Sequence, residues 1–401
     1  MPLSSTPHHF RQVRQAALAC GLGALLWLRQ PALQAAGDSV AYKFQDYREG
    51  AGRIRVLAHY AQWDVGLHPR LRLRLTGLTD AISGASPTGM PPEQPGGPVP
   101  TARLPDETRR SLVGAFEWAA DDATRLNLEY SYSDEPDYLA RGMAATWVRE
   151  FNRRNTTLRA GFAHLNDTVK SSPIGTDRLN WDFLLGVTHL LDPHTTLTCN
   201  LGYGFLYGYL GDPYKVVAYT ERVEIPLPGQ PPIVIENRQG YYENRPARRE
   251  KALAYVRLQR FVDRLDGAVD AAYRYFRDDW GIASHTIEAA WLQNLGRSWV
   301  LAPAARYYRQ SAADFYHTTL DTTGIVPTRL PSRSAPYYSA DHRLSAMDTW
   351  SVGGRLIWKP GERFTFDIAY ERYVLRGRDG RTERAMYPRA DIVTIGARYA
   401  F

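Results

Sequence analysis

After residue 38 the chain alternates between apolar and polar side chains with a period of two, and few features restrict a fold as strongly. Arg70-Leu71-Arg72-Leu73-Arg74-Leu75 alternates without a break, as does Arg125-Leu126-Asn127-Leu128-Glu129-Tyr130. Trp350–Trp358 and Phe364–Tyr370 continue the pattern near the C-terminus. Successive strand residues face opposite ways, so each such segment has one apolar and one polar face. A soluble sandwich also alternates, with its apolar faces meeting in a core. Two features favour a membrane barrel instead. The segments run well beyond the five or six residues, approximately, of ordinary strands. Aromatics also recur near segment ends (Trp118, Phe151, Trp181, Tyr207, Trp299, Trp358), as interfacial girdles require.

The pattern predicts an all-β chain, a transmembrane antiparallel β-barrel of about 16 strands. The expected strands are 40–48, 53–64, 70–82, 109–119, 124–132, 141–151, 156–166, 178–190, 195–209, 249–262, 267–278, 282–295, 298–311, 344–358, 363–376 and 390–401. The first is the least strongly marked. Short polar turns alternate with mostly longer connections at 83–108, 133–140, 167–177, 210–248, 312–343 and 377–389. Short periplasmic turns and long outer loops are the rule for such barrels, and they leave both termini periplasmic.

Residues 1–37 read as a signal peptide, with Arg11 and Arg14 before an apolar run at Ala16–Leu28 and small residues at Ala35-Ala36-Gly37. The barrel is then 38–401. Removing the leader leaves 46 basic and 42 acidic residues, a balance that gives no argument for nucleic acid. The one remaining cysteine, Cys199, forms no internal disulfide. His59, His164 and His285 lie on different strands without metal-ligand spacing. No catalytic constellation stands out, so a non-enzyme is expected; a Ser–His hydrolase in the barrel wall is the weakest alternative.

Thr394–Phe401 resembles the outer-membrane insertion signal. That resemblance implies that the barrel assembly machinery reads Gly396, Tyr399 and Phe401. Val393, Ile395, Ala397, Tyr399 and Phe401 would then face lipid and lipopolysaccharide. The inward faces collect Arg70, Arg72, Arg74, Arg125, Arg159, Arg257, Arg274, Arg306, Arg355 and Arg398. They also collect Asp80, Glu117, Glu129, Asp182, Asp270, Glu288, Asp367 and Glu371. An anion-selective eyelet and a paired network filling a closed lumen both fit this list. Inward-facing Gly202, Gly204 and Gly208 predict a bare patch of wall against which an inward-folded loop packs. The loop 210–248, rich in Pro, Tyr and Arg, is expected to cap the barrel or bind a partner.

Tyr47-Arg48-Glu49-Gly50, Arg53-Ile54-Arg55-Val56, Asp80–Gly89, Asp106–Arg110, Asp137-Tyr138, Arg141-Gly142 and Asn155–Leu158 together resemble a bacterial family, domain of unknown function 3570. The resemblance covers most of the mature chain. It implies an outer-membrane barrel encoded near a flavin transferase, a thioredoxin-like protein and a small lipoprotein, and it implies no activity. Within it, Asp80-Ala81-Ile82-Ser83-Gly84-Ala85-Ser86 resembles the acceptor motif of periplasmic flavin transferases. That implies covalent FMN on Ser86, with Asp80, Ser83, Gly84 and Ala85 shaping the site. The motif also suits a turn kept for its geometry. Three roles follow as expectations: transport through a pore, redox work with bound FMN, or an assembly partner for the lipoprotein.

Overall fold

The computed structural model describes residues 37–401 apart from Pro95 and Thr176. The expected signal peptide lies, up to Ala36, outside the described residues. Sixteen strands close into one antiparallel barrel. In chain order they begin with β1 Ser39–Glu49, β2 Arg55–His68, β3 Leu71–Pro87, β4 Thr101–Ala119, β5 Thr124–Glu135 and β6 Tyr138–Phe151. There follow β7 Thr156–Val169, β8 Asp177–Asp192 and β9 Thr195–Gly208. A separate two-stranded sheet interrupts the sequence, formed by β10 Val216–Leu227 and β11 Gln230–Tyr242. The barrel resumes with β12 Arg248–Val262, β13 Gly267–Asp278, β14 Ala283–Leu295, β15 Trp299–Gln310, β16 Met347–Trp358, β17 Phe364–Gly377 and β18 Arg389–Ala400.

Each barrel strand pairs with its chain neighbour, and two junctions complete the ring. β9 pairs with β12 past the excursion, Tyr207 opposite Arg248. β1 pairs with both β2 and β18, Ser39 opposite Ala400, so the weakly marked first strand is the one that closes the barrel. Closure pairs each of the sixteen barrel strands on both edges, as a barrel in lipid requires.

Three expectations on connections need correction. Residues 133–140 are not an outer loop: β5 and β6 continue until Glu135 lies opposite Tyr138. The charged run Ser133–Glu135 reads as a loop, but Glu135 and Tyr138 are buried on the inner side. β3 and β4 run past the expected 82 and 109 to pair Pro87 with Thr101. The third concerns residues 210–248, which hold a strand pair of their own.

The lipid face follows the alternation. Leu112, Phe116, Leu128, Met143, Leu185, Leu201, Ile287, Val352 and Ile368 are all exposed large apolar residues. At the short-turn end Trp299 stacks on Trp358 with ring centres 5.6 Å apart. Phe364 meets Tyr399 at 4.9 Å, and Tyr399 meets Phe401 at 5.9 Å. These rings form the girdle at the periplasmic interface.

Candidate functional site: the capped lumen

Facing strands answer six of the ten inward arginines with carboxylates. Arg257 on β12 holds Asp270 on β13 at 2.7 Å. Arg306 on β15 holds Glu288 on β14 at 3.0 Å, and Arg355 on β16 holds Asp367 on β17 at 2.9 Å. The three closely spaced arginines of β3 are resolved by a residue absent from the expected list. Asp64 on β2 takes Arg72 at 2.7 Å and also takes Arg74. Its alternation phase, set by exposed Trp63, was the available signal. Arg125 pairs with Glu150 rather than with an acid on the expected list. The side chains of these pairs keep between 10% and 46% of their surface. A 16-stranded ring is wide enough to leave an aqueous interior.

The glycine patch on β9 is covered by side chains and not by a loop. A Cβ on Gly204 would lie 2.1 Å from the Asp182 carboxylate and 2.6 Å from Cε of Lys251. Those two residues form an ion pair at 2.8 Å across the glycine. Gly202 faces Leu253 in the same way. Gly208 adopts φ +102° where the chain leaves the barrel.

At the outer end the lumen is crossed by its own loops. Lys215, after β9, donates to the Ser86 hydroxyl at 3.3 Å and to the Pro87 carbonyl at the end of β3. β3 and β9 are six strands apart round the ring, roughly 30 Å of wall at about 4.8 Å per strand. The contact therefore requires one loop to reach over the opening. Two more contacts tie the same cap to the rim, and a third joins its two loops. Val216 N–H donates to the Thr88 carbonyl at 2.9 Å, and Leu320 N–H to the Ala218 carbonyl at 2.9 Å. Tyr214 reaches Asp137 between β5 and β6 at 3.0 Å.

Two apolar clusters lie within the cap. Val217, Leu320, Tyr338 and Ala340 form one; Leu206, Leu210, Trp280, Ile282, Phe315 and Leu344 belong to the other. Between them sits a buried ionic cluster. Arg245 bridges Glu243 at 2.8 Å and Asp341 at 2.7 Å, while Arg343 bridges Asp341 and Asp212. With Lys215, three cations face three carboxylates. Burial pushes the Glu243 carboxyl up to about 7, against the pull of Arg245. Burial would raise Asp341 too, but Arg343 and Arg245 outweigh it and hold that carboxyl well below its usual range. Burial lowers Lys215, and drives His342 well down to a neutral imidazole.

The five residues singled out for FMN are not gathered into a flavin site. Asp80 is buried in the barrel wall and held by Arg109 at 2.8 Å. Ser83 sits at a bulge between Ile82 and Gly84. Gly84 gives no clearance for a bulky ring: at φ +112°, a Cβ would lie 2.1 Å from the Arg53 carbonyl. Ala85 and Ser86 lie in β3 opposite Arg103 and Ala102, not in an exposed loop. Ser86 is 7% exposed and occupied by Lys215. The folded barrel thus does not fit FMN at this hydroxyl.

The histidines stay apart on the lipid face. His59 bonds Tyr42 at 2.7 Å, His285 bonds Tyr273 at 2.7 Å, and His164 packs 3.9 Å from Trp181. Among the described residues no group of His, Cys, Asp and Glu gathers in a way that would hold a metal ion.

A closed antiparallel barrel with an apolar exterior, aromatic girdle and charged interior is an outer-membrane protein of the bacterial β-barrel class. The chain belongs to the family described as protein of unknown function (DUF3570), whose profile matches residues 16–175 and 171–386. Among curated proteins none matches the sequence. Among solved structures the chain is similar to a bacterial polysaccharide outer membrane secretin, at TM-score 0.50 and 8% identity. That match covers 92% of this chain and all of the other. It also aligns with CdiB from Acinetobacter baumannii (TM-score 0.47, 9% identity, 92% of this chain and 60% of the other). A third match is the CymD monoaromatic hydrocarbon channel (TM-score 0.40, 8% identity, 100% and 95%). At such identities the likeness concerns the fold.

Proposed function

We propose that this protein is an outer-membrane channel for small water-soluble solutes, closed at rest by its own outer loops. One observation carries the reading: the Lys215 contact with Ser86 and Pro87, which spans the mouth above a lumen lined with partly exposed ion pairs. A lumen built only for rigidity has no need of side chains that keep contact with solvent. Because Arg72, Arg74, Arg125, Arg257, Arg306 and Arg355 each face a carboxylate, much of the interior charge is balanced, and this favours polar or zwitterionic solutes over one sign of ion. The chain has no catalytic role in this reading.

The test is single-channel recording of the purified barrel in planar bilayers. One preparation is intact; in the other a short Gly-Ser turn replaces residues 216–242. The intact barrel should conduct rarely and the shortened one persistently, at a severalfold higher mean current. Equal currents from both would overturn the channel reading. Recovery of a small lipoprotein at one copy per barrel, with neither form conducting, would instead favour the assembly-partner role.

A further inference from the structure

Charge is unevenly distributed around the outside of the barrel. On β15–β18, β1 and β2, the last outward positions before the outer loops carry aspartates gripped by arginines. Asp46 takes Arg48 at 3.0 Å and Arg55 at 2.8 Å. Asp348 takes Arg309 at 2.9 Å and Arg378 at 3.6 Å. Asp391 takes Arg372, and it also accepts from the Tyr370 hydroxyl at 2.6 Å. Arg376, opposite Asp348, and Arg389, opposite Val374, lie on the same outward face. These seven arginines exceed the three aspartates by four charges. On β5–β8 the corresponding positions balance: Arg141 and Lys170 against Asp134 and Asp177.

The arginines paired to aspartates keep 37–61% of their side-chain surface. Each aspartate fixes part of a guanidinium and leaves other N–H groups pointing outward. A planar fork held this way suits a phosphate oxygen pair better than a single point charge would. Directly below lies an exposed apolar strip of Trp350, Val352, Ile368 and Ile395. A ligand matching both features has phosphates attached to several acyl chains. It must also reside in the outer leaflet, because the short turns put this rim on the outer side.

We propose that the β15–β2 wall binds the lipid A portion of lipopolysaccharide. Its phosphates sit on the arginine rim and its acyl chains run along the Trp350–Ile395 strip. The site is independent of whether the lumen conducts. A basic cluster at a membrane surface attracts anionic lipid generally; the selective element here is the coincidence of several forks above one apolar strip.

The experiment uses the full barrel folded in detergent, with bisphosphoryl lipid A as probe and phosphatidylglycerol as control, read by native mass spectrometry and competition. The parent should bind lipid A at least about tenfold more tightly than phosphatidylglycerol. R48Q/R372Q/R376Q/R389Q should lose about tenfold or more in lipid A affinity, and the four Arg→Lys changes should restore part of it. R141Q/K170Q on the opposite wall should bind as the parent does. Higher ionic strength should weaken the parent's binding and leave the quadruple variant's little changed. If the quadruple variant does not fold, R376Q/R389Q leaves the aspartate pairs in place and should still weaken binding severalfold. Equal lipid A binding by parent and rim variants overturns the proposal, as does phosphatidylglycerol binding as tightly as lipid A.

Discussion

In the lumen Arg257 holds Asp270 while the two side chains keep 22% and 17% of their surface; in the cap Arg343 holds Asp341 with 11% and 1% left. The residue types are the same and the surroundings are not. In the lumen, water screens each charge, so losing one partner leaves the other hydrated. In the cap, the partners were stripped of water when the loops packed around Val217, Tyr338 and Leu320. There the pairing prevents a large penalty more than it adds stability. The first region suits a surface past which solutes slide, and the second suits a closure that is either fully made or not made.

The largest effect should come from breaking the cap. Asp341→Ala leaves Arg245 and Arg343 short of a shared carboxylate in a buried site. Removing one partner of such a pair costs about 3–5 kcal/mol. The strand ladders do not depend on that contact. Hydrogen exchange in residues 209–247 and 311–346 should therefore accelerate strongly while β12–β18 keep their protection. Mean conductance should rise with it. An unchanged cap would mean that the cluster is not what holds the loops together.

A pH series sharpens the comparison next. Glu243 has its folded pKa raised from 4.5 to about 7 by burial. A group raised in this way favours the closed cap fully below its unfolded value, and the contribution is lost as pH rises through 7. Asp341 acts in the opposite sense, lowered in the folded state, so its contribution is lost only as pH falls below the usual carboxylate range. Lys215, lowered by burial, disfavours the closed cap while charged and relaxes at high pH. Buried His342, held well below its usual value, opposes closure as pH falls through the imidazole range. Open probability should therefore rise from pH 7 to pH 8 less steeply than Glu243 alone would give, and Glu243→Gln should remove or reverse that rise. The lumen pairs, screened by water, should contribute little to it.

Ser86→Ala tests the third-largest effect and the flavin expectation together. The change removes one acceptor of the Lys215 ammonium, worth roughly 1.5–3 kcal/mol for a bond to a charged group. A partly loosened cap should follow, short of the Asp341→Ala effect. The intact mass of the parent, taken from a native outer membrane, should match the unmodified mature chain. An increment of one FMN less water, abolished in Ser86→Ala, would mean that the hydroxyl is modified before the barrel folds over it.

The alternation made the wall legible because lipid and water impose opposite demands on successive residues. Even the weak first strand was legible, since Val40, Tyr42 and Phe44 repeat the lipid phase. The turn at Pro136–Asp137 was not, because charged residues mark both loops and inward strand ends. The cap was legible only as composition. Its architecture depends on residues far apart in sequence, such as Ser86 with Lys215 and Asp212 with Arg343, and no local period relates them. Ser83–Ser86 reads as part of a loop for a related reason, although it lies in β3. Gly84 and Ser86 are small because Arg53 and Lys215 already fill the space.

The smallest stability effect and the most informative functional one belong to the lumen. Asp270→Asn keeps the size of the side chain and removes the charge that faces Arg257. Both groups keep part of their surface, so the loss should be smaller than in the buried cap. Folding yield and heat-modifiable mobility on a gel should not change. The interior, however, gains an unanswered guanidinium midway along the wall, and a pore feels that charge at short range. In the form lacking 216–242, reversal potentials under a salt gradient should shift toward anion selectivity. Asp367→Asn, which releases Arg355, should shift them the same way. Asp341→Ala in the full-length chain should instead change how often the pore opens and leave its selectivity alone. If lumen variants cost as much stability as the cap variant, the pairs are structural ties in a closed interior. If they cost little and move the reversal potential, solutes pass along them.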